Sequence, residues 1–128
     1  MAALPEALLV YREGPGGRLP EQLLQSGVYT LFSPTDFVIP PNGVALLYLQ
    51  ISVRVPWGYT AHFSSLREQV RDGIFVGADY VEPSTVAELK VLLFNHSWLY
   101  YQGSAGDPVA RLVLRRTIFP PVQEATVV

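Results

Sequence analysis

One stretch in the first half of the chain decides the fold: Val44-Ala45-Leu46-Leu47-Tyr48-Leu49-Gln50-Ile51-Ser52-Val53-Arg54-Val55. From Leu47 onward its apolar and polar residues alternate. The apolar face carries Leu47, Leu49, Ile51, Val53 and Val55. A period of two places successive side chains on opposite sides of a strand, whereas a helix repeats at about 3.6 residues. The stretch therefore predicts a long β-strand with one buried face.

Turn signals bound this strand on both sides. Pro40-Pro41-Asn42-Gly43 precedes it and Pro56-Trp57-Gly58 follows it. Proline fixes one backbone angle and glycine permits conformations closed to other residues, so clusters of the two mark turns. The segment from Tyr59 to Phe63 is expected to return as a partner strand.

Similar short segments predict further strands. They are apolar or rich in β-branched and aromatic residues, and Gly, Pro, Asn or Ser separates each from the next. The segments are Ala7–Tyr11, Val28–Phe32, Phe37–Ile39, Ile74–Val76, Glu88–Phe94, Leu99–Tyr101 and Val109–Leu114. Many short strands at close spacing indicate an all-β sandwich or barrel.

Two places carry the spacing of a helix capping box, which competes with the strand interpretation. Ser65 with Glu68 is expected to open one helical turn. Thr85 with Glu88 has the same spacing, but the apolar residues after it alternate, so a strand is preferred there. The prediction is an all-β domain with little helix.

Composition bounds the function. The chain has 128 residues, 49% hydrophobic and 16% charged, which suits one domain with one core. Its net charge of −2 gives no reason to expect nucleic acid as a partner. Cysteine is absent, and neither histidine has a paired nucleophile or a cluster of further ligands, so no catalytic, cofactor or metal site is expected. Asn95-His96-Ser97 matches the glycosylation pattern and is interpreted as a coincidence at a turn.

The last four residues, Ala125, Thr126, Val127 and Val128, have the form that PDZ domains bind. Such a peptide adds as a strand to an open sheet edge, and backbone N–H groups capture its terminal carboxylate. Val128 would fill an apolar pocket, and Thr126 would face the domain because alternate residues of a strand point the same way. The predicted organisation is a β-domain over residues 1–119 and a flexible tail over residues 120–128 that carries the ligand.

The order of the motifs resembles that of trimeric dUTPases over residues 27 to 119. The segments that carry the resemblance are Pro40-Pro41-Asn42-Gly43, Val55-Pro56-Trp57-Gly58-Tyr59, Gly73-Ile74, Val91-Leu92-Leu93-Phe94-Asn95-His96 and Gly106-Asp107-Pro108-Val109-Ala110-Arg111-Leu112. The resemblance implies a dUTPase-like jelly-roll barrel. It also implies a threefold assembly, so a homotrimer is expected.

Aligning the chain with the dUTPase pattern, without gaps from these shared motifs, shows which of the family's active-site residues have changed. The family's Pro-Arg-Ser-Gly segment falls on Ser65-Leu66-Arg67-Glu68, where an acid would repel phosphate. Its water-activating Asp falls on Glu82, which keeps a carboxylate but changes its reach, and its sugar-stacking Tyr falls on Thr85. Its first-motif Asp falls on Thr30, or on Tyr29 if the register shifts by one, and the sequence stops before a Gly-rich arm. These losses predict that the chain is not an enzyme.

A second resemblance combines such a body with a PDZ-type ending. The adenovirus early-region-four, open-reading-frame-one proteins are similar at Val28-Tyr29, Phe37-Val38-Ile39-Pro40-Pro41, Leu92-Leu93-Phe94-Asn95-His96 and Ile118-Phe119-Pro120. This resemblance implies a non-enzymatic viral regulator and oncoprotein. Its implied partners are host PDZ scaffolds such as Discs-large and phosphoinositide 3-kinase. Its implied location is the host cytoplasm, with recruitment to membranes through partners and some nuclear pool.

In that family, segments that match Phe37, Val38, Ile39, Pro40 and Pro41, and Leu92, Leu93 and Phe94, are implicated in activity. The alternative for the second segment is structural, because apolar strand residues are core residues first and their substitution unfolds a domain.

Two other functions stay open. One is an active dUTP nucleotidohydrolase with a divergent site. The other is a sugar-binding domain, which would use aromatic residues as stacking platforms: Trp57, Tyr59, Trp98, Tyr100 and Tyr101.

Overall fold

The computed structural model describes residues 6–127. Within that range the chain forms eleven strands and one short helix. The strands are β1 (Leu9–Arg12), β2 (Glu21–Gln22), β3 (Val28–Phe32), β4 (Phe37–Ile39), β5 (Val44–Arg54), β6 (Tyr59–Ser64), β7 (Ile74–Val76), β8 (Tyr80–Val81), β9 (Val86–Asn95), β10 (Tyr101–Gly103) and β11 (Pro108–Arg116). The helix is α1 (Arg67–Arg71). The predicted all-β fold is confirmed.

The strands form two larger sheets and a two-stranded ribbon, all with antiparallel pairing. One sheet has the order β1-β5-β9-β7 and the other has the order β2-β3-β11-β6-β8. β4 pairs with β10. A core of aliphatic residues joins these layers, and Val53, Val55, Ile74, Leu93 and Leu112 in it are completely buried.

The alternation predicted for β5 is confirmed, since every residue on its apolar face is at most 7% exposed. β5 nevertheless contains a bulge. Tyr48 pairs with Lys90 and Ser52 pairs with Glu88. Between these two pairs, β5 therefore contains two more residues than β9. Gln50 lies in the bulge with a φ of 60°. Because two extra residues preserve the parity of a strand, the apolar face stays buried on both sides of the bulge.

The segment after β5 does not return to it as predicted. β6 pairs with β11 and β8 in the other sheet, while β5 pairs with β1 and β9. The turn at 56–58 explains the difference. Pro56 cannot donate a ladder hydrogen bond and Gly58 has a φ of 94°, so the chain leaves the first sheet and enters the second.

Some element boundaries also differ from the prediction. The strand expected at Leu99–Tyr101 begins at Tyr101, because the Leu99 carbonyl already accepts the Asn95 side-chain N–H at 2.8 Å within a loop. The first strand begins at Leu9 rather than Ala7. β2 and β8 are not predicted from the sequence, because each has only two residues and a strand that short shows no alternation of apolar and polar side chains. Regular structure ends at Arg116, and a boundary at residue 119 stays a prediction.

The predicted helical turn is present as α1, but different residues cap it. Leu66 is the N-cap, and the Gln69 side-chain oxygen accepts its backbone N–H at 2.8 Å. Gln69 is 3% exposed, and its amide also donates to the Val109 carbonyl at 2.6 Å. Ser65 instead accepts the Val76 backbone N–H at 2.9 Å. Among residues 6–127, no helix has the length and apolar character needed to span a bilayer.

Candidate interaction site

The C-terminal tail, residues 118–127, leaves the body at one end of the sandwich. Thr117 is the last described residue that hydrogen-bonds to the body: its backbone N–H donates to the Gly58 carbonyl at 2.8 Å. The Arg116 guanidinium lies 5.7 Å from the centre of the Tyr59 ring. Every residue from Ile118 to Val127 is exposed. The last strand is therefore anchored while the tail is left in solvent.

The tail begins with a stiff segment and ends with the predicted PDZ ligand. Pro120 and Pro121 fix their own backbone angles and favour an extended polyproline conformation. The eight residues from Pro120 to Val127 can reach about 25 Å at about 3.1 Å per residue. Ala125, Thr126 and Val127 are exposed, and Val128 lies outside the described residues. Their use as a PDZ ligand stays a prediction.

The structure brings together, at one end of the sandwich, the two segments for which the family resemblance predicts a role in activity (the activity segments). Phe94 of β9 pairs with Val44 of β5, directly after the turn that follows Phe37–Pro41. The Asn95 backbone N–H donates to the Gly43 carbonyl at 2.9 Å. Segments far apart in sequence thus form one continuous structural unit.

Asn95 holds this unit together. Its side chain is 1% exposed, and its amide nitrogen donates to the carbonyls of Ile39, Pro40 and Leu99 at 3.1, 3.2 and 2.8 Å. Its side-chain oxygen accepts the backbone N–H of Ser97 at 3.0 Å and the Ser97 hydroxyl at 2.7 Å. The Asn-x-Ser pattern is therefore a turn in which the Asn side chain caps its own backbone. Sequence reasoning noted the turn but missed that its Asn is buried.

Only some residues of the two segments are available to a partner. Leu93 and Ile39 are completely buried, whereas Leu92 is 37% and Val38 is 53% exposed. Phe37 is half-buried, and its ring packs directly over Gly103, where any added Cβ would lie 2.1 Å from the ring. The segments therefore combine core residues with surface residues, so a loss of activity at Leu93 reports on folding before it reports on contact.

Replacing Asn95 with Ala should destabilise the domain by about 2 kcal/mol, because three carbonyl groups lose a donor inside a buried network. Chemical denaturation measures the change. Gln102→Ala is the control, since Gln102 is an exposed amide on β10 beside the same segment. We expect less than about 0.5 kcal/mol for the control. Equal effects of the two substitutions would contradict the role given to Asn95.

The tail and the activity segments lie at opposite ends of the sandwich. β5 runs from Val44, beside Phe94, to Arg54, which leads into the turn that holds Thr117. At about 3.3 Å per residue, β5 separates the two ends by about 30 Å. The activity segments are therefore remote from the point at which the tail leaves the body.

The residues that match altered dUTPase positions are also located. Glu82 and Thr85 line a common cleft with Trp57, Tyr80 and Phe119. Arg67 and Glu68 are exposed at the start of α1. Within residues 6–127, no three His, Cys, Asp or Glu side chains lie close enough together to hold a metal ion.

Comparison with known proteins defines the class. The dUTPase family model matches residues 19–127, so the chain belongs to the dUTPase family. The D95N mutant of the dUTPase from phage phi11 of S. aureus superposes with a TM-score of 0.84 over 95% of this chain and 98% of that chain, at 17% identity. A deoxyuridine 5'-triphosphate nucleotidohydrolase of Candida albicans is 35% identical to this chain. The matched region covers 93% of this chain and 76% of that enzyme.

The particular branch is that of the adenovirus early 4 ORF1 proteins. The Early 4 ORF1 protein of Human adenovirus C serotype 2 is 43% identical over 98% of both chains. E4-ORF1 of Human adenovirus D serotype 9 is 42% identical over 98% of this chain and all of its own length. This chain is a viral, dUTPase-derived member of that group, and the resemblance stated from the sequence is confirmed.

Proposed function

We propose that the chain is a non-enzymatic viral adaptor that binds host PDZ scaffolds, of the Discs-large kind, through Thr126 and Val128. The observation that carries the proposal is the exposed tail, which follows an anchored last strand and a stiff Pro120-Pro121 segment. A PDZ groove needs a free, extended strand with its terminal carboxylate available. The tail supplies a free segment that can extend as a strand. The terminal carboxylate is available if the chain ends at Val128.

The altered catalytic positions support the non-enzymatic part of the proposal. In the dUTPase register, Arg67 stands where the family has the Ser of its phosphate-binding segment, so that hydroxyl is lost. Glu68 adds an exposed negative charge where phosphate would lie. Thr85 replaces a stacking ring, so the sugar loses its platform. Each change removes a different contribution to nucleotide binding.

The purified chain should therefore release no pyrophosphate from dUTP above background in the presence of Mg²⁺. A coupled pyrophosphate assay measures this, with an active dUTPase added to the same mixture as the positive control. Turnover that rises in proportion to the concentration of this chain would favour the alternative, an active nucleotidohydrolase with a divergent site.

The homotrimer and the signalling role belong to the same proposal. The dUTPase-like body supports threefold assembly, and exposed apolar residues on the outer face of β5, such as Val44 and Leu46, suit contact between subunits. Three tails facing one multi-domain scaffold would raise the apparent affinity by about 10²-fold when the geometry permits. Scaffold binding would place phosphoinositide 3-kinase signalling at host membranes, with the protein in the cytoplasm and a fraction in the nucleus.

Sedimentation equilibrium at micromolar concentration should give a mass about three times that of the 14.2 kDa chain. Deletion of residues 120–128 should leave that mass ratio unchanged, because the body and not the tail would carry the contacts. A strict monomer would contradict the trimer and leave the PDZ ligand to act singly.

A further inference from the structure

A second candidate site lies at the end of the sandwich from which the tail leaves. A cleft of about 570 Å³ opens between the 56–58 turn, the 82–85 turn and the start of the tail. Its walls include Trp57, Tyr80, Phe119 and Pro83, with Thr60 and Glu82 as polar members. This volume is within the usual range of ligand sites, about 300–1,000 Å³.

The aromatic walls are unusually open. Trp57 is 72%, Tyr80 is 56% and Phe119 is 66% exposed. Large rings gathered around one cleft and left in water are typical of binding surfaces. Because each of these three residues is more than half exposed, the cleft is a shallow groove between ridges and not a closed cage.

The base of the cleft contains an unsatisfied polar group. Thr60 is 7% exposed, and its hydroxyl has no hydrogen-bond partner among the described residues. A buried hydroxyl without a partner is unfavourable, and a ligand carbonyl that reaches it when the side chains of the cleft shift would satisfy it. Trp57 and Tyr80 add an indole N–H and a phenol O–H as further donors. The site is therefore rich in donors as well as apolar.

One acidic and one basic side chain lie near the cleft. Glu82 presents a carboxylate at the cleft. Arg115 stands directly opposite Thr60 in the pairing of β6 with β11, so its side chain leaves the sheet on the same face. A small organic cation beside Thr60 would be disfavoured by the positive charge of Arg115 on the same face of the sheet. An extended ligand can instead place a basic group beside Glu82 and a carbonyl group beside Thr60.

We propose that this cleft binds a proline-rich segment of a partner protein in the polyproline II conformation, with a basic residue of the ligand beside Glu82. Such a segment has no internal hydrogen bonds, so its carbonyls need external donors, and its rings pack between aromatic ridges. The chain's own tail does not fill the groove. Phe119 forms part of its wall, but Pro120 and Pro121 are exposed.

The test uses the full-length chain with Trp98→Phe. The chain has two tryptophans, so this variant leaves Trp57 as the only indole reporter. The probe is the peptide Arg-Ala-Leu-Pro-Pro-Leu-Pro, and the comparison peptide has its prolines replaced by alanine. We expect a saturable change in Trp57 fluorescence with the first peptide and none with the second.

Matched variants, measured by calorimetry, locate the binding. Trp57→Ala and Tyr80→Ala should each weaken binding at least about tenfold. Trp98→Ala and Tyr100→Ala remove rings of more exposed residues elsewhere and should leave binding unchanged. Glu82→Gln should weaken only peptides that carry the arginine. Deletion of Val128 should have no effect, which separates this site from the PDZ ligand. Unchanged melting temperatures would show that the variants fold.

Three results would overturn the proposal. The first is the absence of saturable binding, or binding that survives Trp57→Ala. The second is saturable quenching of Trp57 by tetramethylammonium without any response to the peptide, which would show a cation site. The third is binding that occurs only after deletion of residues 120–128, with Phe119 retained, which would show that the chain's own tail occupies the cleft.

Discussion

Deletion of Val128, or Thr126→Asp, should abolish binding to a Discs-large-type PDZ domain while the melting temperature of the protein stays unchanged. The deletion replaces the side chain that fills the terminal pocket by that of Val127 and moves Thr126 out of its place. The substitution puts a charge where the groove expects a neutral hydroxyl. Stability should not change because the tail is exposed and contributes nothing to the core. Titration of the labelled PDZ domain with full-length protein measures the loss.

Val127→Ala is the matched control for these two variants. Val127 would face away from the PDZ groove, so its truncation should change affinity by less than about threefold. A C-terminal tag should act like the deletion, because it converts the free carboxylate into an amide. Full binding by the tagged protein or by the Val128 deletion would show that the tail is not the ligand.

Leu93→Ala should destabilise the domain by about 3 kcal/mol, whereas Leu92→Ala should cost less than about 1 kcal/mol. Leu93 is completely buried in the core between the sheets, so its truncation leaves a cavity. Leu92 lies on the opposite face of the same strand and is 37% exposed. For a domain of this size, the first change should lower the melting temperature by about 10 °C or more.

The two variants, Leu92→Ala and Leu93→Ala, also test whether the segment Leu92–Phe94 acts as a contact surface or only as part of the core. If it acts as a contact surface, Leu92→Ala should reduce signalling in cells although the protein stays folded. Any loss caused by Leu93→Ala should follow the loss of folded protein. Equal melting temperatures for the two variants would contradict the burial pattern of β9.

Strand periodicity was enough to predict much of this fold. Alternation in β5 identified the buried face correctly, and it did so despite a bulge, because the bulge adds two residues and preserves parity. The same signal separated β9 from a helix at Thr85. Periodicity did not show which sheet each strand joins, and β6 was therefore given the wrong partner.

Features that depend on distant contacts could not be predicted in this way. The side chain of Asn95 meets Ile39 and Pro40 across more than 50 residues of sequence, and nothing near Asn95 indicates that it is buried. The aromatic cleft draws its walls from three separate parts of the chain. The sequence offered Trp57 as a possible stacking residue, but nothing near it indicates that Tyr80 and Phe119 lie beside it.

The central claim is that an exposed tail, and not the body, makes contact with PDZ domains. Heteronuclear NMR of the isotope-labelled full-length protein, with unlabelled PDZ domain added in steps, tests it directly. We expect shift changes to be confined to residues 122–128, with Leu46, Leu92 and the remaining body resonances unmoved. Changes centred on the body, with Thr126 and Val128 unaffected at saturation, would contradict the claim.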